Sequence, residues 1–350
     1  MKKLIFSVAL LSAALSASAE EHPLWMRYPA ISPDGTTIAF AYKGDLYSVS
    51  VNGGEARQLT THAAFDSHPV WSPDSKKIAF QSNREGSLDI FVIDAKGGAP
   101  TRLTTNSGSE TPIAFADNDH VLYSASLQPT AQSIIFGDNT FPQVYKVSTK
   151  GGRPELFSTL TMENISIAKN GDILYHDKKG YEDPWRKHQK SPIARDIWLK
   201  SNGKFAKQTT FAGEDRSPVW TSDEKSFFYL SEQDGTFNIY RRSLNSSSDK
   251  QITHHKGNPV RFLTASSTDL LCYGYDGEIY TVKEGGEPQK VNISITTDND
   301  APSLVRQIKS WGATEISVSP DAKEVAFVMH GDVYVTSVEY TTTKRITDTP

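Results

Sequence analysis

Arg186, Lys187, His188, Lys190 and Arg195 fall within ten positions beside Tyr181 and Trp185, in the stretch "KKGYEDPWRKHQKSPIAR". Guanidinium groups grip carboxylates in bidentate fashion, and a local positive field draws anions, so this cluster is the candidate site for the acidic or carboxylate end of a peptide. The alternative is a solvated loop whose aromatics pack on the neighbouring sheet. Elsewhere the search for chemistry is negative: the chain has no G-x-S-x-G elbow, H-E-x-x-H, P-loop or Cys/His cluster. No catalytic residue, cofactor or metal site is therefore expected. His254-His255 reads as a solvated pair, because adjacent histidines point in different directions. Ser32/Asp34, Ser72/Asp74 and Ser319/Asp321 look like Ser/Asp pairs, yet they recur as Ser-Pro-Asp at one place in successive units, which marks turn chemistry. Asp45, Asp89, Asp196 and Asp332 each precede an aliphatic-aromatic pair and read as hydrogen-bonders of the architecture.

The elements that would carry such residues are written most fully in Pro69–Thr104. "PVW", the turn Ser72-Pro73-Asp74, "KIAF", a polar tip, "DIFVID", the turn Lys96-Gly97-Gly98 and "TRLT" give four short strands. β-branched and aromatic residues suit a pleated strand, and proline and paired glycines set the turn geometry. The unit repeats at about 40 to 54 residues, the spacing of propeller blades. Copies begin at Tyr28 and Pro69; a third runs to about Asn164 and a fourth to about Ser217, and a fifth and sixth start at Pro218 and Pro259. Insertions at Ala125–Pro142 and Lys178–Arg195 stretch the third and fourth. Ala301–Trp311 breaks the pattern, and "ISVSPDAKEVAF" starts a seventh copy. The fold expected is all-β: a six-bladed β-propeller of four-stranded antiparallel blades over residues 20–300, a linker at 301–311, and the first blade of a second propeller at 312–350. Each unit reads as a whole blade, so ring closure is expected from packing between blades one and six, without a clasping strand.

Met1–Ala19 joins two lysines, an apolar run from Leu4 to Leu15 and the small-residue site Ala17-Ser18-Ala19, the pattern of a cleavable export signal. The run is too short to span a bilayer, so a periplasmic or extracellular location without a membrane span is expected. Once Lys2 and Lys3 leave, 35 basic residues face 41 acidic ones, a net −6. That balance, with no block of Lys and Arg, argues against nucleic acid as a partner. The sole cysteine, Cys272, lies in a strand-like run and reads as a small buried residue.

Six SPD/IAF/GG units, the long third-unit insertion, the segment "GYEDPWRKHQKSPIARDIW" and the restart after residue 300 together resemble the tricorn-like serine peptidases. The resemblance covers essentially the whole mature chain. It implies a large peptide-cleaving enzyme whose propellers filter or channel peptides, with a PDZ-like and a catalytic domain as partners further along. The family's catalytic serine and histidine belong to that further region, so no residue here inherits those roles. Candidate partners are peptides or oligopeptides, the PDZ-like and catalytic domains, and a second copy of the chain. The alternative is a noncatalytic TolB-like periplasmic propeller that binds a protein partner; a prolyl oligopeptidase relative is a third reading.

Overall fold

The computed structural model describes residues 23–126, 141–180, 190–244, 246, 248–296 and 310–347. These form seven four-stranded antiparallel sheets, each a meander whose strands follow chain order, plus one two-stranded parallel pair; no helix occurs among the described residues. The export-signal segment, most of the third-unit insertion and residues 301–309 lie outside them.

The first strands of sheets one to six are Arg27–Ile31, Asp66–Trp71, Glu110–Asp117, Met162–Ile167, Asp215–Trp220 and Arg261–Ala265. Each contacts the next, and the sixth contacts the first. An apolar layer fills every seam of this circuit. Phe40, Ile38, Cys272 and Ile279 lie between sheets one and six, Phe80, Leu46 and Ile78 between one and two, and Phe227, Tyr229 and Leu174 between four and five. Alternation along each strand supplies a residue to each side, which is how short, modestly hydrophobic strands build a continuous core. A fully buried phenylalanine such as Phe80 contributes about 1.5–3 kcal/mol.

The repeated turns follow one scheme. Ser32 Oγ donates to Asp34 Oδ1 at 2.6 Å while accepting the Thr37 N–H, and the Ser72/Asp74 and Ser319/Asp321 turns repeat it. Thr221/Asp223 is a further copy with threonine in the serine position. At the other end of the sheet a buried threonine hydroxyl accepts the N–H that follows the recurrent aspartate: Thr60 for Leu46, Thr104 for Ile90, Thr209 for Ile197. Asp45 accepts from Thr60, Asp89 pairs with Arg102, and Asp196 with Lys179 and Lys207.

Sheets four and five begin at Met162 and Asp215, two residues ahead of the boundaries expected near Asn164 and Ser217, and in sheet five the strand starts three residues before Pro218, which opens the visible repeat. One expectation needs correction: closure uses more than packing. Ile293–Ser294 pairs in parallel with Gly54–Glu55, with Gly54 N donating to Asn292 O and Ala56 N to Ser294 O, both at 2.8 Å. Gly53 makes this approach possible: φ is +82° and a Cβ would lie 2.4 Å from the Asn292 carbonyl oxygen.

The seventh sheet, Glu315–Val318, Glu324–Met329, Asp332–Ser337 and Thr343–Arg345, is in contact chiefly with itself. Ile316, Val318, Tyr340 and Ile346 are exposed on it.

Candidate functional site

The first strands carry a shared irregularity. Their ladders slip between Arg27 and Ala30, Ser67 and Val70, Pro112 and Ala114, Glu163 and Ser166, Arg216 and Val219, and Arg261 and Thr264. Proline contributes in sheets one, two, three and five, since Pro29, Pro69, Pro112 and Pro218 have no N–H to give. In five of the six strands the bulge holds a non-glycine residue in the left-handed region: Tyr28, His68, Asn164, Ser217 and Phe262, with φ of 53°, 56°, 49°, 51° and 59°. Bulky residues avoid this region, at a cost of order 1–3 kcal/mol each. A bulge re-aims the side chain it carries. All five line one cavity of about 640 Å³ to which the first strands of all six sheets contribute.

The wall of this cavity is not uniform. On sheets six, one and two, Phe262, Tyr28 and His68 form an aromatic ledge with ring centroids 4.8 and 3.7 Å apart. Burial pushes the His68 imidazole down to about 4, so the ring is neutral at ordinary pH. Sheets four and five present ions instead. Glu163 Oε2 accepts Arg195 Nε at 3.0 Å and lies 3.1 Å from His176 Nε2, and its other oxygen is 3.7 Å from Lys178. Arg195 Nη1 and Arg216 Nε both donate to Glu214 Oε1, at 2.8 and 2.6 Å. Burial raises the Glu163 carboxyl, but the His176 hydrogen bond and the nearby cationic charge outweigh it and hold it well below the usual range.

Glu163, His176 and Ser217 are the residue types of a hydrolytic triad. Their geometry rules the role out. His176 Nδ1 accepts the backbone N–H of Ser217, which leaves the proton on Nε2 facing Glu163, and Ser217 Oγ is engaged with Asn164 Oδ1. Among the described residues no group of three or more His, Cys, Asp or Glu side chains is placed to hold a metal ion.

The cationic lip is only partly visible. Arg186, Lys187 and His188 lie outside the described residues; Lys190 is exposed. Arg195 departs from the expectation of an exposed lip: it is 5% exposed and inside the ion cluster. His255 is not solvated either, since it stacks on Tyr275 at 4.0 Å and meets the Tyr273 hydroxyl at 2.9 Å; only His254 is exposed. Sequence reading missed Tyr28, His68, Phe262, Lys178 and Arg216. The signal was there for Tyr28 and His68, as the variable position ahead of the recurrent proline.

A family model described as the tricorn protease N-terminal β-propeller domain matches residues 23–288. The chain belongs to this family. As a tricorn-type propeller it is similar to "Tricorn protease homolog 1" of Streptomyces coelicolor, 25% identical over 322 residues, and to "Tricorn protease" of Thermoplasma volcanium, 27% identical over 284 residues. These alignments cover 89% and 77% of this chain but 29% and 26% of the relatives, so the tricorn-type chain spans less than a third of their length. The crystal structure of the tricorn protease superposes with a TM-score of 0.68 at 20% identity, over 93% of this chain and 32% of that one. The circuit of meander sheets is thus the N-terminal β-propeller of a tricorn-type protein, with the cavity at the first strands of its sheets.

Proposed function

We propose that this chain is the N-terminal propeller region of a secreted tricorn-like serine peptidase and that its channel filters peptides on their way to or from a catalytic domain outside the chain. In this reading residues 1–19 export the protein to the periplasm or beyond, residues 20–300 form a six-bladed ring, 301–311 link, and 312–350 open a second propeller. Further blades, or a second copy, would cover the exposed apolar residues of the seventh sheet. The observation that carries the proposal is the single cavity lined by the first strand of every sheet in the circuit. A bore of about 640 Å³ has the capacity of a site for a short peptide. In this reading cleavage belongs to the catalytic domain outside the chain.

The test is to narrow the bore in the complete peptidase. Ser217→Trp, alone and with Thr111→Trp, should lower turnover of a decapeptide at least tenfold while leaving reaction of the catalytic serine with a small fluorophosphonate unchanged. Unaltered turnover in a folded double variant would remove the conduit reading.

A further inference from the structure

We infer that the channel contains a binding station for a peptide that ends in an aromatic residue, the ring resting on Tyr28, His68 and Phe262 and the terminal carboxylate turned toward Lys178 and Arg216. The inference rests on the conduit reading and names what the conduit holds.

Two independent properties of the wall support it. The first is charge: four cations, Lys178, Arg195, Arg216 and Arg261, line the cavity against one carboxylate, Glu163, in a chain whose formal net charge is −4. Glu214, joined to Arg195 and Arg216, offsets part of that excess. Concave, low-dielectric walls concentrate such a field on the bore, so an anion is attracted there against the repulsion of the molecule as a whole. Carboxylate is the group that guanidinium matches geometrically.

The second property is shape. Three aromatic side chains from three neighbouring sheets meet in one contiguous ledge, and each sits on a bulge residue at positive φ. A partly exposed ledge of rings lining the cavity offers offset or edge-on packing to another ring. Sheet one lies opposite sheet four in the circuit, so one occupant of the bore meets the ledge on one flank and the ions on the other.

The experiment uses the 350-residue chain and calorimetric titration with three peptides: N-acetyl-Gly-Gly-Phe as free acid, the same peptide as its C-terminal amide, and N-acetyl-Gly-Gly-Ala as free acid. The free-acid Phe peptide should bind at least tenfold more tightly than either of the others, and 0.5 M salt should erase its advantage over the amide but not over the Ala peptide. Tyr28→Leu with Phe262→Leu should abolish the preference for Phe and keep that for the acid; Lys178→Gln should do the converse. Should the double variant fail to fold, the three-peptide series on the wild type and Lys178→Gln still decide. Equal affinities, or no binding at millimolar peptide, overturn the station even if bore-narrowing slows the complete peptidase. Selective binding to a protein whose turnover ignores bore-narrowing would keep the station and discard the conduit. An aromatic preference with no acid preference overturns the carboxylate assignment.

Discussion

Asp215, at the start of the fifth sheet's first strand, is fully buried, and burial pushes its carboxyl up to about 7; Asp196 and Asp249 add to that, and the Ser231 and Thr209 hydroxyls oppose it without prevailing. A folded-state pKa above the unfolded one means that the contribution to stability is complete below about pH 4 and is lost as pH rises through 7. Glu163 and Glu214 are held low and act in the opposite sense: their contribution is present above the ordinary carboxylate range and is lost in acid. Stability should therefore fall on both sides of a mildly acidic maximum. Asp215→Asn tests the alkaline side. The variant should gain on the order of 1–4 kcal/mol over wild type at pH 8 and close to nothing at pH 4, read from melting temperatures across that range. A gain that does not change with pH would show that Asp215 is not the group responsible.

The sheets depend on a small set of polar clamps, and the clamp in sheet five is a clean one to test. Thr253 Oγ1 accepts the Ile239 N–H and donates to Asn238 Oδ1, both at 2.9 Å, in a buried setting. Thr253→Val keeps the shape and leaves an N–H without a partner, so the urea midpoint should drop by the equivalent of about 1–3 kcal/mol. Thr36→Val, in an exposed turn, should stay within about 0.5 kcal/mol. An equal response from both would deny the clamp its role. These elements were legible in the sequence because Ser-Pro-Asp, Gly-Gly and the strand pattern are local signals. The channel wall was harder to read. Arg195 was grouped with its basic neighbours along the chain, yet its partners Glu163 and Glu214 are 32 and 19 residues away. The bulges at His68 and Ser217 escaped because the repeat was cut at the proline that follows, one residue after the side chain that faces the cavity. The Ile293–Ser294 pairing involves two residues and carries no periodicity to detect.

At the scale of the whole molecule, five seams of the circuit are crossed by the chain itself, because each sheet follows its neighbour in sequence. The seam between sheets six and one is joined instead by the short parallel pair and by single hydrogen bonds such as Met26 N to Gly277 O at 3.0 Å and Ile31 N to Thr264 Oγ1 at 3.1 Å. Cys272, the only cysteine, is 0% exposed in the apolar layer of that seam, and burial raises its thiol further from reactivity. Gly53→Val drives a side chain into the Asn292 carbonyl and should loosen this seam first. Iodoacetamide labelling of Cys272 should then accelerate at least tenfold with the circular dichroism of the sheets unchanged; labelling that never outpaces global unfolding would mean the seam is as firm as the rest. Mechanically, the ring is a split washer. Anything wider than the bore strains the one gap that no peptide bond bridges, and the chain's single sulfhydryl sits where that yielding becomes chemically visible.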